Sequence, residues 1–416
     1  MTWCEVTFES LYATPSRNGV YKSKEHHGSG VPIVNMGEMF AFDRIGNQPM
    51  SLIQMSDAEM EKSGLADGDL LFGRRSLVEE GAGKCTIVRD PSGPLTFESS
   101  IIRVRLNQSL ADPEFYFNYF RSPVGRSKIQ AIVGGAAVKG IRGSDLKEIK
   151  VHLPDLSQQK AIRMVATNYD DLIATNQRRI GLLEDAARRL YREWFVHLRF
   201  PGHEAVSVVD GVPQGWAAGK AYDFIAVLSG GTPKTGVEHY WGGDIPFFTP
   251  KDSPDSFYVL ATEKVLTDMG LANCNSRLYP KDTTFITARG TVGKIALAQK
   301  PMAMNQSCYA LAPKSGYDRL FLFLAIREAV EHFKQVASGG VFDAIVVDTF
   351  KTIPFILPQA DVTLVFGDKV RPVFEQIETL LLQNRNLAQA RDLLLPKLMS
   401  GQLDVSSIAL PEENAI

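Results

Sequence analysis

The sequence predicts an α+β protein: two duplicated α/β halves, each ending in a long helix, with the two long helices forming a coiled coil. Three observations carry this. Short segments recur in the same order at a nearly constant offset. Each half alternates short β-rich runs with turn residues before it enters a helical stretch. Two long stretches hold an apolar seam at spacings of three and four.

The recurrence begins with Trp3 and Trp216, 213 residues apart. Val31-Pro32-Ile33 resembles Ile245-Pro246-Phe247 at 214, and Asp69 to Phe72 resembles Asp282 to Phe285 at 213. Gly134-Gly135 matches Gly339-Gly340 at 205, and Leu146 to Pro154 matches Phe350 to Pro358 at 204. Order is kept while the offset drifts, as loop insertions require. Together the matches indicate a half repeated once along the chain.

Within each half, Ser99 to Leu106 and Thr283 to Thr287 read as strands, and Pro113 to Tyr119 and Leu320 to Val336 as helices. Each half then passes a Leu-Pro step. The first long helix starts near Ser157, a suitable N-cap. Its seam is Ile162, Ala166, Tyr169, Ile173, Asn176, Ile180, Leu183, Ala187, Leu190 and Trp194. The second seam is Phe366, Val370, Val373, Ile377, Leu380, Asn384, Leu387, Arg391, Leu394 and Leu398. Pro372 must kink this helix or mark its true start, Pro396 tightens its last turn, and Gly401 stops it. Each seam has one Asn near its middle, so Asn176 and Asn384 are candidates to meet and fix register, whichever way the helices run. The bland reading puts both in solvent.

Composition narrows the function classes. Of 416 residues, 45 are Lys or Arg and 47 Asp or Glu, a net charge of −2. That excludes a uniformly basic nucleic-acid binder but not one with charges sorted onto one face. Cys4, Cys85, Cys274 and Cys308 form no CxxC pair, which argues against a zinc module or disulfide framework and predicts an intracellular protein. The N-terminus does not read as a signal peptide, and no apolar run of membrane-spanning length occurs.

Catalytic signatures fail one by one. Gly81-Ala82-Gly83-Lys84 resembles the end of a phosphate-binding loop, but Val78 and Cys85 stand where Gly and Ser or Thr are needed. Gly290 to Lys294 fails likewise, at Ala288 and Ile295. Two failures at similar places are better explained by a repeated Arg/Gly/Lys hairpin. No HExxH, GxSxG, GxGxxG or methyltransferase tetrad is present, so no catalytic, cofactor or metal residue is assigned. What remains is polar and basic loop material: Arg74, Arg75, Lys84, Lys139 and Arg142 in the first half, and Lys234, Lys251, Arg289, Lys294, Asn305 and Gln306 in the second. Arg and Lys suit guanine edges and phosphates, and Asn and Gln suit adenine. Arg178, Arg179, Arg188, Arg189 and Arg192 lie off the apolar seam and read better as a solvated helix face than as phosphate contacts.

From Trp3 to Gly401 the chain resembles the specificity subunit of a type I restriction–modification system. The resemblance is carried by Asn18-Gly19-Val20-Tyr21, by Leu153-Pro154 with Leu156-Ser157-Gln158-Gln159, and by Trp194-Phe195. Gly215-Trp216, Ser229 to Pro233, Tyr240 to Pro246, and Leu393 to Leu398 with Ser400-Gly401 complete it. Two departures are Gln158, where an acidic residue is usual, and the Leu357 to Gln359 entry of the second helix. The resemblance implies target-recognition domains at 1–154 and 201–358, each reading one half of a split DNA site. It implies helical regions at 155–200 and 359–405 that pair antiparallel, separate those domains and dock two methyltransferase subunits and the restriction subunits, with a tail at 406–416. The partners are then double-stranded DNA and those subunits, with S-adenosylmethionine, ATP and magnesium confined to the latter, no membrane, and a cytoplasmic location. Competing readings are a coiled-coil scaffold without DNA readout, which predicts no salt-dependent affinity for duplex DNA, and an enzyme with an unrecognised site, which predicts turnover by the chain alone.

Overall fold

In the computed structural model, residues 3–76, 81–135, 138–314, 316–336 and 345–405 are described. They fall into two units, Met1–Leu172 with Leu387–Ile416, and Ile173–Asn386. The units have the same strand topology. In the first, a five-stranded sheet runs in the order Tyr12–Asn18, Ile101–Leu106, Leu70–Gly73, Cys85–Val88, Arg44–Ile45. In the second, the order is Ile225–Ser229, Cys308–Pro313, Thr284–Thr287, Ile295–Ala298, Tyr258–Val259. Each unit adds a three-stranded sheet, Ser51–Ile53, His27–Val34, Thr96–Phe97 in one and Lys264–Leu266, Trp241–Phe248, Ala303–Met304 in the other. Each also closes with a two-stranded pair, Cys4–Thr7 with Lys150–Leu153 and Ala217–Lys220 with Pro354–Leu357. The duplication read from scattered matches is thus a duplication of hydrogen-bond register. Gly339-Gly340 lies outside the described residues.

The central strands are apolar on both faces because each sheet is covered on both sides. Leu70, Leu71 and Phe72 are all fully buried: Leu70 and Phe72 face the helix Pro113–Arg121 with its aromatic run Phe115 to Phe120, and Leu71 joins Val34, Met39 and Phe97 opposite. In the second unit the helix Arg319–Val336 covers the sheet through Phe321 and Phe323.

The first long helix spans Leu156–Tyr191 (36 residues) and ends in a wide π turn, Arg192–Val196, that carries Trp194 and Phe195 into the core. Its cap is Asp155, not Ser157. The Asp155 carboxylate accepts the Gln158 N–H (2.8 Å) and the Ser157 hydroxyl (2.6 Å), and these bonds hold its pKa below the usual carboxylate range. A carboxylate outcompetes a hydroxyl here because it accepts both bonds and faces the positive end of the helix. Gln159 is fully buried, taking the Asp112 N–H (2.7 Å) and donating to the Leu110 and Pro154 carbonyls. In the second unit Thr363 stands in its place and takes the Asp318 N–H (3.2 Å).

The second long helix spans Ala360–Met399 (40 residues) without interruption at Pro372, which therefore does not mark its start. Pro372 and Asp368, whose carbonyl loses its helical partner at the proline, are both exposed, so the helix bears the proline on its solvent side. Gly401 ends the helix at φ 72°, and the Gln402 and Leu403 N–H groups close on the Lys397 carbonyl.

All twenty seam positions are buried or half-buried. In the first unit Ile162 and Ala166 share a core with Leu395, Leu398 and Met399. In the second, Tyr191 and Trp194 share one with Phe366 and Val370. The helices therefore pair antiparallel. Asn176, only 8% exposed, donates through Nδ2 to Asn384 Oδ1 (3.0 Å), and Asn384 Nδ2 donates to the Ile173 carbonyl (3.3 Å). Arg391, the charged seam residue, bonds Asp170 (2.6 Å), which also meets Arg44 (3.3 Å).

Candidate nucleic-acid interface

The Arg/Gly/Lys segment is the same hairpin in both units. In the first, the Gly73 N–H donates to the Lys84 carbonyl (2.9 Å) and the Gly83 N–H to the Gly73 carbonyl (2.7 Å). In the second, the Thr287 N–H donates to the Lys294 carbonyl (3.0 Å) and the Gly293 N–H to the Thr287 carbonyl (2.9 Å). Gly83 and Gly293 both take positive φ, 67° and 76°, a conformation that explains the glycines without any phosphate. Lys84 therefore matches Lys294, and Arg75 matches Arg289.

Two further segments flank each hairpin at the same end of its sheet. The Arg74 N–H donates to the Ser100 carbonyl (2.7 Å), as the Ala288 N–H does to Ser307 (2.8 Å). The Ile141 N–H donates to the Arg74 carbonyl (3.0 Å), as the Ile345 N–H does to Ala288 (2.9 Å). The sequence motifs Asn18-Gly19 and Ser229-Gly230 pack beside them. A Cβ at Gly19 would collide with the carbonyl oxygens of Phe97 and Glu98, and one at Gly230 with those of Met304 and Asn305. Only glycine lets these loops cross so closely.

The predicted side chains are partly brought together by this arrangement. Arg74, Arg75, Lys139 and Arg142 lie side by side, since Lys139 and Gly140 pair in register with Ser76 and Arg75. Lys84 turns inward instead: its ammonium donates to the Phe40 carbonyl (3.1 Å) and sits 3.5 Å from Asp43. In the second unit Arg289 is exposed beside Ser307, and Gln306, also exposed, accepts the Thr232 hydroxyl through Oε1 (2.5 Å). Asn305 spends its carbonyl oxygen on the Ser307 N–H (3.0 Å). Lys294 lies 3.9 Å from Asp255. Lys234 and Lys251 are exposed, Lys251 in the short turn Pro250–Asp252, and neither belongs to the hairpin segment. On the first long helix, Arg178 and Arg179 are exposed, Arg189 pairs with Asp185 (2.8 Å) and Arg192 with Glu328 (2.9 Å).

Sequence reasoning missed Arg17, which is exposed and pairs across the sheet with Arg103 next to Asn18-Gly19. It also missed Tyr21, 87% exposed just past that crossing. Their place beside Asn18-Gly19 was the available signal. Among the described residues, no group of three or more His, Cys, Asp or Glu side chains is arranged to hold a metal, and no helix is long and apolar enough to cross a membrane.

Comparison with known proteins agrees with this duplicated layout. Residues 16–185 and 213–379 each match the family described as type I restriction modification DNA specificity domain. The chain is 23% identical over 407 residues to the type I restriction enzyme HindI specificity subunit of Haemophilus influenzae, covering 82% of this chain and 88% of that one. It is 21% identical over 402 residues to the putative MjaX specificity subunit of Methanocaldococcus jannaschii, covering 94% and 91%. The crystal structure of an S subunit of a type I restriction-modification system from M. genitalium shares the fold at a TM-score of 0.58 and 15% identity, covering 95% of this chain and 96% of that one.

Proposed function

Since the chain belongs to the type I restriction–modification DNA specificity family, with a role in DNA target recognition, we propose that it reads a split duplex site, one half per unit, and docks the catalytic subunits that act there. The observation that carries this is the repetition of one loop constellation, Arg75 with Gly83-Lys84 and Arg289 with Gly293-Lys294, at the same end of two sheets of identical order. One reading surface used twice is what a bipartite site requires. The exposed Arg289 suits a guanine edge, and the exposed Gln306 suits adenine.

The paired long helices supply the docking surface for two methyltransferase subunits and for restriction subunits. Leu182 (71% exposed) and Leu393 (72% exposed) stand out on them as apolar side chains in solvent. S-adenosylmethionine, ATP and magnesium belong in this reading to those partners, and the complex works where the DNA is, in the cytoplasm.

The test is to express the chain with its cognate methyltransferase and map methylated bases genome-wide. A recurring two-part sequence with an unread spacer is expected, present only when both proteins are made. Methylation without any two-part sequence, or turnover by the rigorously purified chain alone, would overturn the proposal.

A further inference from the structure

The two reading surfaces are not electrostatically alike. Register makes the comparison residue by residue. Ile101 pairs with Gly73 where Cys308 pairs with Thr287, and Arg103 pairs with Arg17 where Ala310 pairs with Leu228. Arg17 therefore corresponds to Leu228. The matched amides place Arg74 on Ala288, Arg75 on Arg289 and Arg142 on Val346. By count Lys139 falls on Asp343, which lies outside the described residues. Of the five first-surface cations, four have counterparts among the described residues, and one of these, Arg75, is matched by a cation on the second.

Those five also lack counterions. Nearby cations are neutralised: Arg105 by Asp69 (2.7 Å), Arg89 by Asp67 (2.7 Å), and Arg121 and Lys84 by Asp43 (2.8 and 3.5 Å). Among the described residues, Arg17, Arg74, Arg75, Lys139 and Arg142 have no ion pair, although backbone pairing holds their segments side by side. Glu79 and Glu80 follow in a segment outside the described residues. Like charges held together without partners repel one another and destabilise the fold, unless a polyanion covers them.

We propose that the first surface is an electrostatic anchor for the duplex phosphate backbone, whereas the second contributes mostly sequence discrimination. This rests on the DNA-reading function proposed above. Counterion release then makes the first surface carry most of the salt dependence of binding, while the second surface, with fewer cations at the matched positions, adds less.

The experiment measures affinity of the full chain for a cognate duplex and a scrambled duplex from low to high salt. Two multiple variants are compared, both checked for a melting temperature no lower than the parent's. One is Arg17→Ala/Arg74→Ala/Arg75→Ala/Lys139→Ala/Arg142→Ala, with the milder Arg74→Gln/Arg75→Gln as backup should the first fail to fold. The other is Arg289→Ala/Lys294→Ala. At about 0.9 per phosphate contact, the five-site variant should flatten the slope of log affinity against log salt by roughly 3–5 for both duplexes, and the milder one by ~1–2. The second-surface variant should flatten it by no more than ~2 while cutting the preference for the cognate duplex about tenfold or more. An unchanged slope in the five-site and milder variants, with the parent binding normally, overturns the anchor alone. A cognate preference lost as strongly from the first surface as from the second also overturns it. A parent chain that binds neither duplex overturns the DNA-reading function and the anchor with it.

Discussion

Replacing Asn384 with leucine should destabilise the chain more than replacing Asn176, and replacing both should restore stability. Asn176 is 8% exposed, and Asn384 Oδ1 is the acceptor its amide reaches, at 3.0 Å. Asn384→Leu strands that amide away from water, at a cost of about 1–3 kcal/mol. Asn176→Leu leaves Asn384 half-buried and still bonded to the Ile173 carbonyl, so only one net hydrogen bond is lost, about 0.5–1.5 kcal/mol. The double variant leaves no stranded polar group and adds apolar surface to a seam flanked by Ile180 and Leu380. Full burial of each leucine contributes about 1.5–3 kcal/mol, and partial burial less, so the double variant should be at least as stable as the parent. The coupling between the sites should then be at least the sum of the two single costs, about 1.5–4.5 kcal/mol. Urea unfolding of all four proteins, followed by helical circular dichroism and tryptophan fluorescence, measures it. Trp194 and Trp216 report on the same core. Single-variant costs that add to within ~0.5 kcal/mol in the double variant would refute the buried contact. A seam without its Asn pair should also pair less selectively, visible as mixed oligomers in size-exclusion chromatography.

Other consequences follow from the same structure. Exchanging residues 201–352 for the equivalent segment of a relative should change one half of the methylated sequence and leave the other as it was, checked by methylation mapping. Arg289→Ala should relax only the second half-site, by about 1–3 kcal/mol if the guanidinium makes a bidentate base contact. A loss shared by all sequences, with a shallower salt slope, would reassign it to phosphate. Asp155→Ala should cost about 1 kcal/mol at neutral pH through loss of the helix cap. Because the folded state lowers the Asp155 pKa, its contribution is full above the unfolded value of about 3.9 and fades as pH falls through the folded one. The difference between parent and variant in melting temperature should therefore shrink below about pH 4.

Much of the architecture was legible in the sequence because it depends on patterns that repeat along the chain. Burying one face of a helix forces apolar residues at spacings of three and four, so both seams could be written down in full. The Arg/Gly/Lys hairpin was legible in both halves because Gly83 and Gly293 sit where φ turns positive, a conformation glycine takes most readily. Local rules also misled. Ser157 looked like the cap, but Asp155 two residues earlier takes the Gln158 amide. Pro372 looked like a boundary, but packing of Phe366 and Val370 into the core carries the helix past it.

What only the tertiary structure decided is which charged side chains are spoken for. Lys84 and Lys294 occupy the same place in the same hairpin, yet Lys84 is drawn inward by the Phe40 carbonyl and Asp43, while Lys294 stays exposed. Arg74, Arg75, Lys139 and Arg142 read as separate surface residues until strand pairing sets them together, with Arg17 beside them. The antiparallel sense of the helices is likewise absent from the seams, which fit either direction. It is fixed by the cores at their two ends, where Ile162 meets Leu398 and Trp194 meets Phe366. Periodicity is a property of the chain, but ion pairing and helix direction depend on residues 22 to more than 200 positions apart, and only folding sets the distances between them.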